Sequence, residues 1–281
     1  MTVTLPPVSP PPGTAVFQLP TGSYSTRAAL AFRGGRFSER RDLAATAVLV
    51  RHPKGDVLID AGFGADAEAH IRMLPPFRRS AHHIATPAVA QLDAAGYDRS
   101  RLLGVLLTHS HWDHVSGLDR LDVPIITNVD EERYAARNKG DKIYQHVRTG
   151  HEIREYAFDG PAYLGFPASH DLHGDGTVVI VPAAGHTTGS VIIFVSTSDG
   201  RRYAFIGDLV WQLDGIELGV DRPWLLRMLA DSDPTQIRRD IQRMIALADQ
   251  VQIVPAHDAR GFAGIPLLSP ENLAETNGAG D

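Results

Sequence analysis

The sequence predicts a layered α/β fold, and three observations carry the prediction. Short apolar, β-rich runs recur along the chain, amphipathic helical patterns alternate with them, and several runs are apolar without a break, as strands buried on both faces are. The runs cover 44–51, 56–59, 104–108, 124–127, 177–181, 191–195, 203–206 and 251–254. His52-Pro-Lys-Gly55 reads as a hairpin turn joining the first two, with proline and glycine supplying the turn geometry. The clearest helix begins at Asp233-Pro234, a capping residue followed by proline at the first helical position. Ile237, Ile241, Met244, Ile245 and Ala248 then form one apolar stripe, with Arg238, Arg239, Gln242 and Arg243 mainly facing water. A second helix runs over 86–95 and ends at Gly96; a third covers 129–137 and stops near Asn138 and Gly140. The stretch 62–83, broken by Pro75-Pro76, reads as a loop with one short helix, placed as a lid over a cleft or as a homodimer contact.

Length and composition bound the rest. A chain of 281 residues, 43% hydrophobic and 21% charged, suits one globular domain, placed at 14–265 between a proline-rich arm (1–13) and a C-terminal tail (266–281). The formal charge of −6 argues against a nucleic-acid partner, whose capture rests on a basic surface. With no cysteine, there is no disulfide framework and no thiolate nucleophile or ligand. The N-terminus lacks the charged and apolar regions of a signal peptide, and no apolar run is long enough to cross a membrane. The expectation is a soluble protein without a membrane partner, cytoplasmic unless an upstream export segment has been trimmed.

The chemistry is concentrated in His109-Ser-His111-Trp-Asp113-His114, which follows the run 104–108 and so lies at the carboxyl end of a strand. Three imidazoles and a carboxylate within six residues offer nitrogen and oxygen donors suited to zinc and other borderline divalent metals. Three more strands end in the same way: 177–181 before Gly185-His186, 203–206 before Gly207-Asp208, and 251–254 before Pro255-Ala-His257. A lone histidine is more often structural; four loops repeating one design point to a metal site. His82, His83, His146, His151, His170 and His173 share no spacing with it and read as exposed or structural, with His170 and His173 at most on a cleft rim.

These residues resemble the metallo-β-lactamase-fold hydrolase superfamily: the His-x-His-x-Asp-His signature at 109–114, the Gly-His-Thr-x-Gly-Ser turn at 185–190, Gly207-Asp208, the late His257, and Asp60 in an early Asp-x-Gly segment. The resemblance implies a four-layer αββα sandwich of two facing mixed β-sheets with metals at one edge. It implies that His109, His111 and His186 hold a first metal, that Asp113, His114 and His257 hold a second, that Asp208 bridges them, and that Asp60 orients a ligand from behind. The implied cofactors are two divalent ions, Zn²⁺ first, with Mn, Fe or Co acceptable to the same donors. The implied reaction is hydrolysis by a hydroxide shared between the ions, with Asp113 orienting it and passing a proton to the leaving group.

Within the superfamily the pattern is most similar to the quorum-quenching acyl-homoserine lactonases, so a small lactone or carboxylic ester is the expected substrate. Many of those enzymes carry a substrate-contacting tyrosine three residues after the bridging aspartate, where this chain has Trp211. Trp211, Trp224, Phe77 and Met73 are the candidates for an apolar cleft wall. The alternatives are a phosphotriester, arylsulfate or thioester hydrolase on the same metals, or a mononuclear iron oxygenase like the persulfide dioxygenases.

Overall fold

The computed structural model describes residues 4–137 and 142–278. Asn138 and Gly140, where the sequence places the end of the third helix, lie outside the described residues. Seven strands form one sheet: β1 (Ala15–Arg27), β2 (Arg40–Arg51), β3 (Asp56–Ile59), β4 (His82–Ile84), β5 (Leu102–Leu106), β6 (Ile125–Asn128) and β7 (Ile153–Tyr156), in the order β4-β1-β2-β3-β5-β6-β7. Five form the other: β8 (His170–Asp171), β9 (Val178–Pro182), β10 (Val191–Ser196), β11 (Arg202–Phe205) and β12 (Gln252–Val254), in the order β12-β11-β10-β9-β8. Both sheets are mixed: β3, β5, β6 and β7 pair in parallel, as do β11 and β12, and the other pairs are antiparallel.

The uninterrupted apolar runs now have their reason. Val48, Val50, Val57, Ile59 and Leu106 of one sheet meet Val178, Ile180, Val191, Ile193 and Phe205 of the other in a shared interior. The alternate residues point outward into two further cores. Leu49, Leu58 and Val105 pack with Leu92, Val115 and Tyr144 of the helices on one side. Val179, Ile192 and Phe194 pack with Ile237, Ile241 and Met244 of the helix Pro234–Leu247 on the other. That is an αββα sandwich, its central strands buried on both faces.

Ile237, Ile241 and Met244 of the expected stripe are buried, but Ile245 and Ala248 face outward and the buried face runs instead through Asp240 and Leu247. The Asp233 carboxylate caps the helix start by accepting from the Thr235 and Gln236 backbone N–H groups. The hairpin turn is closed by Gly55 N–H donating to the His52 carbonyl. The 62–83 stretch holds the helix Ala67–Met73, a 3-10 turn at Pro76–Arg78 and the first residues of β4, more regular structure than a loop with one helix. Beyond residue 265 the chain still belongs to the packed body: Gln18 bridges Leu267, and Leu273 of the helix Pro270–Gly278 joins the core.

At the end of the sheets away from Asp60, His52 of the β2–β3 turn stacks on His173, with ring centroids 3.9 Å apart and planes 5° from parallel. His173 therefore lies far from any rim at the Asp60 end. Burial first, then the neighbouring His52 charge, pushes the His173 imidazole down to about 4, against the pull of Asp175 and Asp171; His52 is lowered by burial too. Both rings bind protons more weakly in the folded chain than in the unfolded one. Stability is thus full above about pH 6.5 and falls as the pH drops toward 4, by ~1–2 kcal/mol once solvent screening is included. Denaturant unfolding between pH 7 and 4 measures this, and the loss in that window is expected to shrink in His173→Phe.

Candidate metal centre

Five strand ends deliver the side chains of the site. β3 ends at Asp60, whose φ of +53° is rare for a residue with a Cβ and is held by its own bonds. Its carboxylate accepts from Thr108 N–H (2.8 Å), Thr108 Oγ1 (2.7 Å) and His114 Nδ1 (2.8 Å). β5 runs into the loop bearing His109 and His111, and a one-turn helix, Trp112–Val115, then presents Asp113 and His114. β9 leads to the turn carrying His186. β11 leads to Gly207-Asp208; Gly207 has φ +49°, and a Cβ there would sit 2.9 Å from Thr108 Cβ, so the position requires glycine. β12 leads to His257.

The seven side chains named from the sequence converge. His109, His111, His186 and Asp208 form one group with donor atoms within 4.8 Å of each other, and Asp113, His114 and His257 form a second. Asp208 stands between them. Its Oδ2 faces His186 Nε2 (3.4 Å) and His109 Nε2 (3.9 Å), while its Oδ1 faces His257 Nε2 (3.0 Å) and His114 Nε2 (3.2 Å).

Each imidazole is turned by a partner on its far side. His257 Nδ1 donates to the Ala44 carbonyl (2.7 Å), His114 Nδ1 to Asp60, and His186 Nδ1 to Asp231 (2.9 Å), leaving three Nε2 atoms aimed inward. His111 is reversed: Nε2 meets Tyr134 Oη at 3.2 Å and Nδ1 points in. This outer hydrogen bonding fixes tautomer and ring orientation, as metal-ligating histidines require. The arrangement fits divalent cations better than a closed polar network. His109 Nε2 is buried with no hydrogen-bond partner, and His186 Nε2 approaches His111 Nδ1 at 2.9 Å, nitrogen to nitrogen.

The electrostatics agree. Burial holds the His109 and His111 imidazoles well below their ordinary value, keeping them neutral donors. Burial alone would raise Asp208, but His257 and His114 outweigh it and hold the carboxyl well below the usual range, so it is ionised. Asp60→Asn is expected to weaken metal retention or kcat/KM by about 10–100-fold, because His114 loses its anionic partner; metal titration and kinetics read the loss directly.

The structure also brings in residues that the sequence did not announce. Tyr24 Oη donates to Asp113 Oδ2 (2.7 Å), and burial pushes its phenol well up, so the proton stays on. Arg222 ion-pairs with Asp231, both side chains essentially buried, and donates Nη1 to the Asp208 carbonyl (2.8 Å). Glu131 accepts from Ser110 N–H and Oγ in the first histidine loop and from Thr187 Oγ1 in the His186 turn, tying the two loops together.

The candidate cleft residues separate. Trp211 donates its indole N–H to Asp208 Oδ2 (2.8 Å), lies under the Arg222 guanidinium and packs on Ala28, Ala31 and Phe32. Trp224, Phe77 and Met73 are 63%, 88% and 42% exposed, on segments flanking the site rather than lining an enclosed wall.

The family model for the metallo-beta-lactamase superfamily matches residues 40–257, and the chain belongs to that superfamily. It is a metal-dependent hydrolase. It is 28% identical over 229 residues to the probable metallo-hydrolase Rv2300c of Mycobacterium tuberculosis, covering 75% of this chain and 73% of that one. It is 26% identical over 233 residues to the N-acyl homoserine lactonase AttM of Azorhizobium caulinodans, covering 75% and 80%. Among solved structures, an N-acyl homoserine lactone hydrolase with N-hexanoyl-L-homoserine bound at its metal centre superposes with a TM-score of 0.72 at 16% identity, covering 92% of this chain and 98% of that one, a likeness of fold. No helix among the described residues is long and apolar enough to cross a membrane.

Proposed function

We propose that the chain is a dinuclear metal-dependent hydrolase that opens a lactone or cleaves a carboxylic ester, with acyl-homoserine lactones the first substrates to try. The observation that carries the reading is the Asp208 carboxylate, which turns one oxygen to each histidine group. His109, His111 and His186 would hold one ion, Asp113, His114 and His257 the other, and Asp208 both. Two divalent ions, Zn²⁺ first, would supply Lewis acidity toward the substrate carbonyl and an activated water. Asp113 is the catalytic carboxylate in this reading: it would orient the water and carry a proton toward the leaving oxygen through a carboxylate oxygen. Trp224, Phe77 and Met73 would offer apolar contact to the acyl part of the substrate at the rim. The named lactonase relative and the product-bound structural neighbour support this substrate class.

The test pairs metal analysis of purified protein with pH-stat hydrolysis of a lactone and ester panel. About two zinc or similar ions per chain with proton release on lactones or esters supports the proposal. Turnover confined to phosphotriesters, sulfate esters or thioesters would reassign the substrate. One iron per chain with oxygen consumption and no hydrolysis would sink it.

A further inference from the structure

We propose that Tyr24 is a positioning residue for the second metal, its phenol fixing the Asp113 carboxylate oxygen that serves as ligand there. The inference rests on the two-ion reading above and adds to it a residue from β1, outside the matched segment 40–257.

The geometry is specific. Asp113 Oδ2 lies 3.5 Å from His257 Nε2, the side that faces the second group, and the same oxygen takes the Tyr24 hydrogen bond at 2.7 Å. A carboxylate on a one-turn helix has two rotatable bonds. Left to itself it would present either oxygen, or rotate away. The Tyr24 ring is held on three sides, with centroid separations of 6.4 Å to Phe63, 5.8 Å to Trp112 and 5.6 Å edge-on to His257. The donor therefore cannot swing with the acceptor.

The position three residues after Asp208 cannot take this task, because the Trp211 indole N–H is committed to Asp208 Oδ2. β1 also places Tyr24 where the second group is anchored from outside. Tyr24 pairs with Leu43 of β2, and the next residue, Ala44, supplies the carbonyl that orients His257. One short stretch of two paired strands thus steers two ligands of the second group, Asp113 and His257. The outer partners of His109, His111 and His186 in the first group (Thr108, Tyr134 and Asp231) come from other elements.

The test is Tyr24→Phe, which keeps the ring and removes only the hydroxyl. Zinc-loaded wild-type and variant proteins are titrated with a chelator, and the Co²⁺-substituted forms are compared by visible absorption. The expected result is one ion held about 10–100-fold more weakly and the other unchanged, with a shifted cobalt spectrum for the weaker ion alone. In an Asp113→Ala background, Tyr24→Phe is expected to add no further loss, since the carboxylate it serves is gone. Thermal unfolding of the metal-free variant close to wild type shows that the ring packing survived. Unchanged affinities for both ions, equal weakening of both, or additive losses in the double variant would overturn the assignment. Wild-type protein that takes up a single ion would overturn the two-ion reading itself, and this inference with it, before any variant is made.

Discussion

Asp208→Ala is expected to abolish hydrolysis across the substrate panel, lowering kcat/KM on the order of 10³-fold or more, and to leave purified protein with well under its normal metal content. The reason is its place between the two groups. The one ionised side chain facing all of His186, His109, His257 and His114 is removed, and imidazoles already crowded nitrogen to nitrogen lose the carboxylate that stands between the two groups. Metal analysis and pH-stat assay on the same preparation decide it; a variant with wild-type metal content and turnover would refute the central role of the carboxylate. Trp211→Phe, which removes a single donor to that carboxylate, is expected to have a smaller effect.

Asp231→Ala is expected to be the most destabilising substitution near the site, by ~3–5 kcal/mol, with a Tm lower by roughly 10 °C. The Arg222 guanidinium, 1% exposed, would be left buried without its counter-charge. His186 would lose the acceptor that turns its Nε2 inward, so metal affinity falls as well. Unfolding of the metal-free protein isolates the first effect from the second, because bound metal adds its own stabilisation. Replacing both partners, Arg222→Met with Asp231→Leu, is expected to cost less stability than Asp231→Ala alone. If the single variant unfolds like wild type, the buried pair does not hold this corner together.

The inward-facing side chains were legible in the sequence because they are local. His109 to His114 span six residues, and the other candidates each follow an apolar run within two to five residues, so the strand-end pattern picks them out and the family resemblance assigns their roles. The side chains that hold them from behind were not legible, for different physical reasons. β1 was missed because Pro20 and Gly22 punctuate it; in the fold they sit where its register with β2 shifts, a bulge that tolerates both residues, so Tyr24 had no strand to belong to. Arg222 and Asp231 flank the helix Trp224–Ala230, which buries none of its residues and therefore shows no stripe to read. Glu131 has no signal in the sequence beyond its place in the helix over 129–137, yet it is 1% exposed because two loops distant in the chain close over it. Trp211 was recognisable as an aromatic near the site; that its N–H is spent on Asp208 depends on a contact only the fold makes.

His257, the last of the seven converging side chains, is oriented by a carbonyl 213 residues earlier, Ala44. On the ribosome, where synthesis runs at roughly 5–20 residues per second, the four members of the first group exist before residues 209–257 have been made. The second trio still lacks a member at that stage, and the first group still awaits Arg222 and Asp231, which hold Asp208 and His186 from behind. The order of synthesis therefore makes β12 and its histidine the last of the site's strand ends to appear, so the second group is completed only when the chain closes back on Ala44.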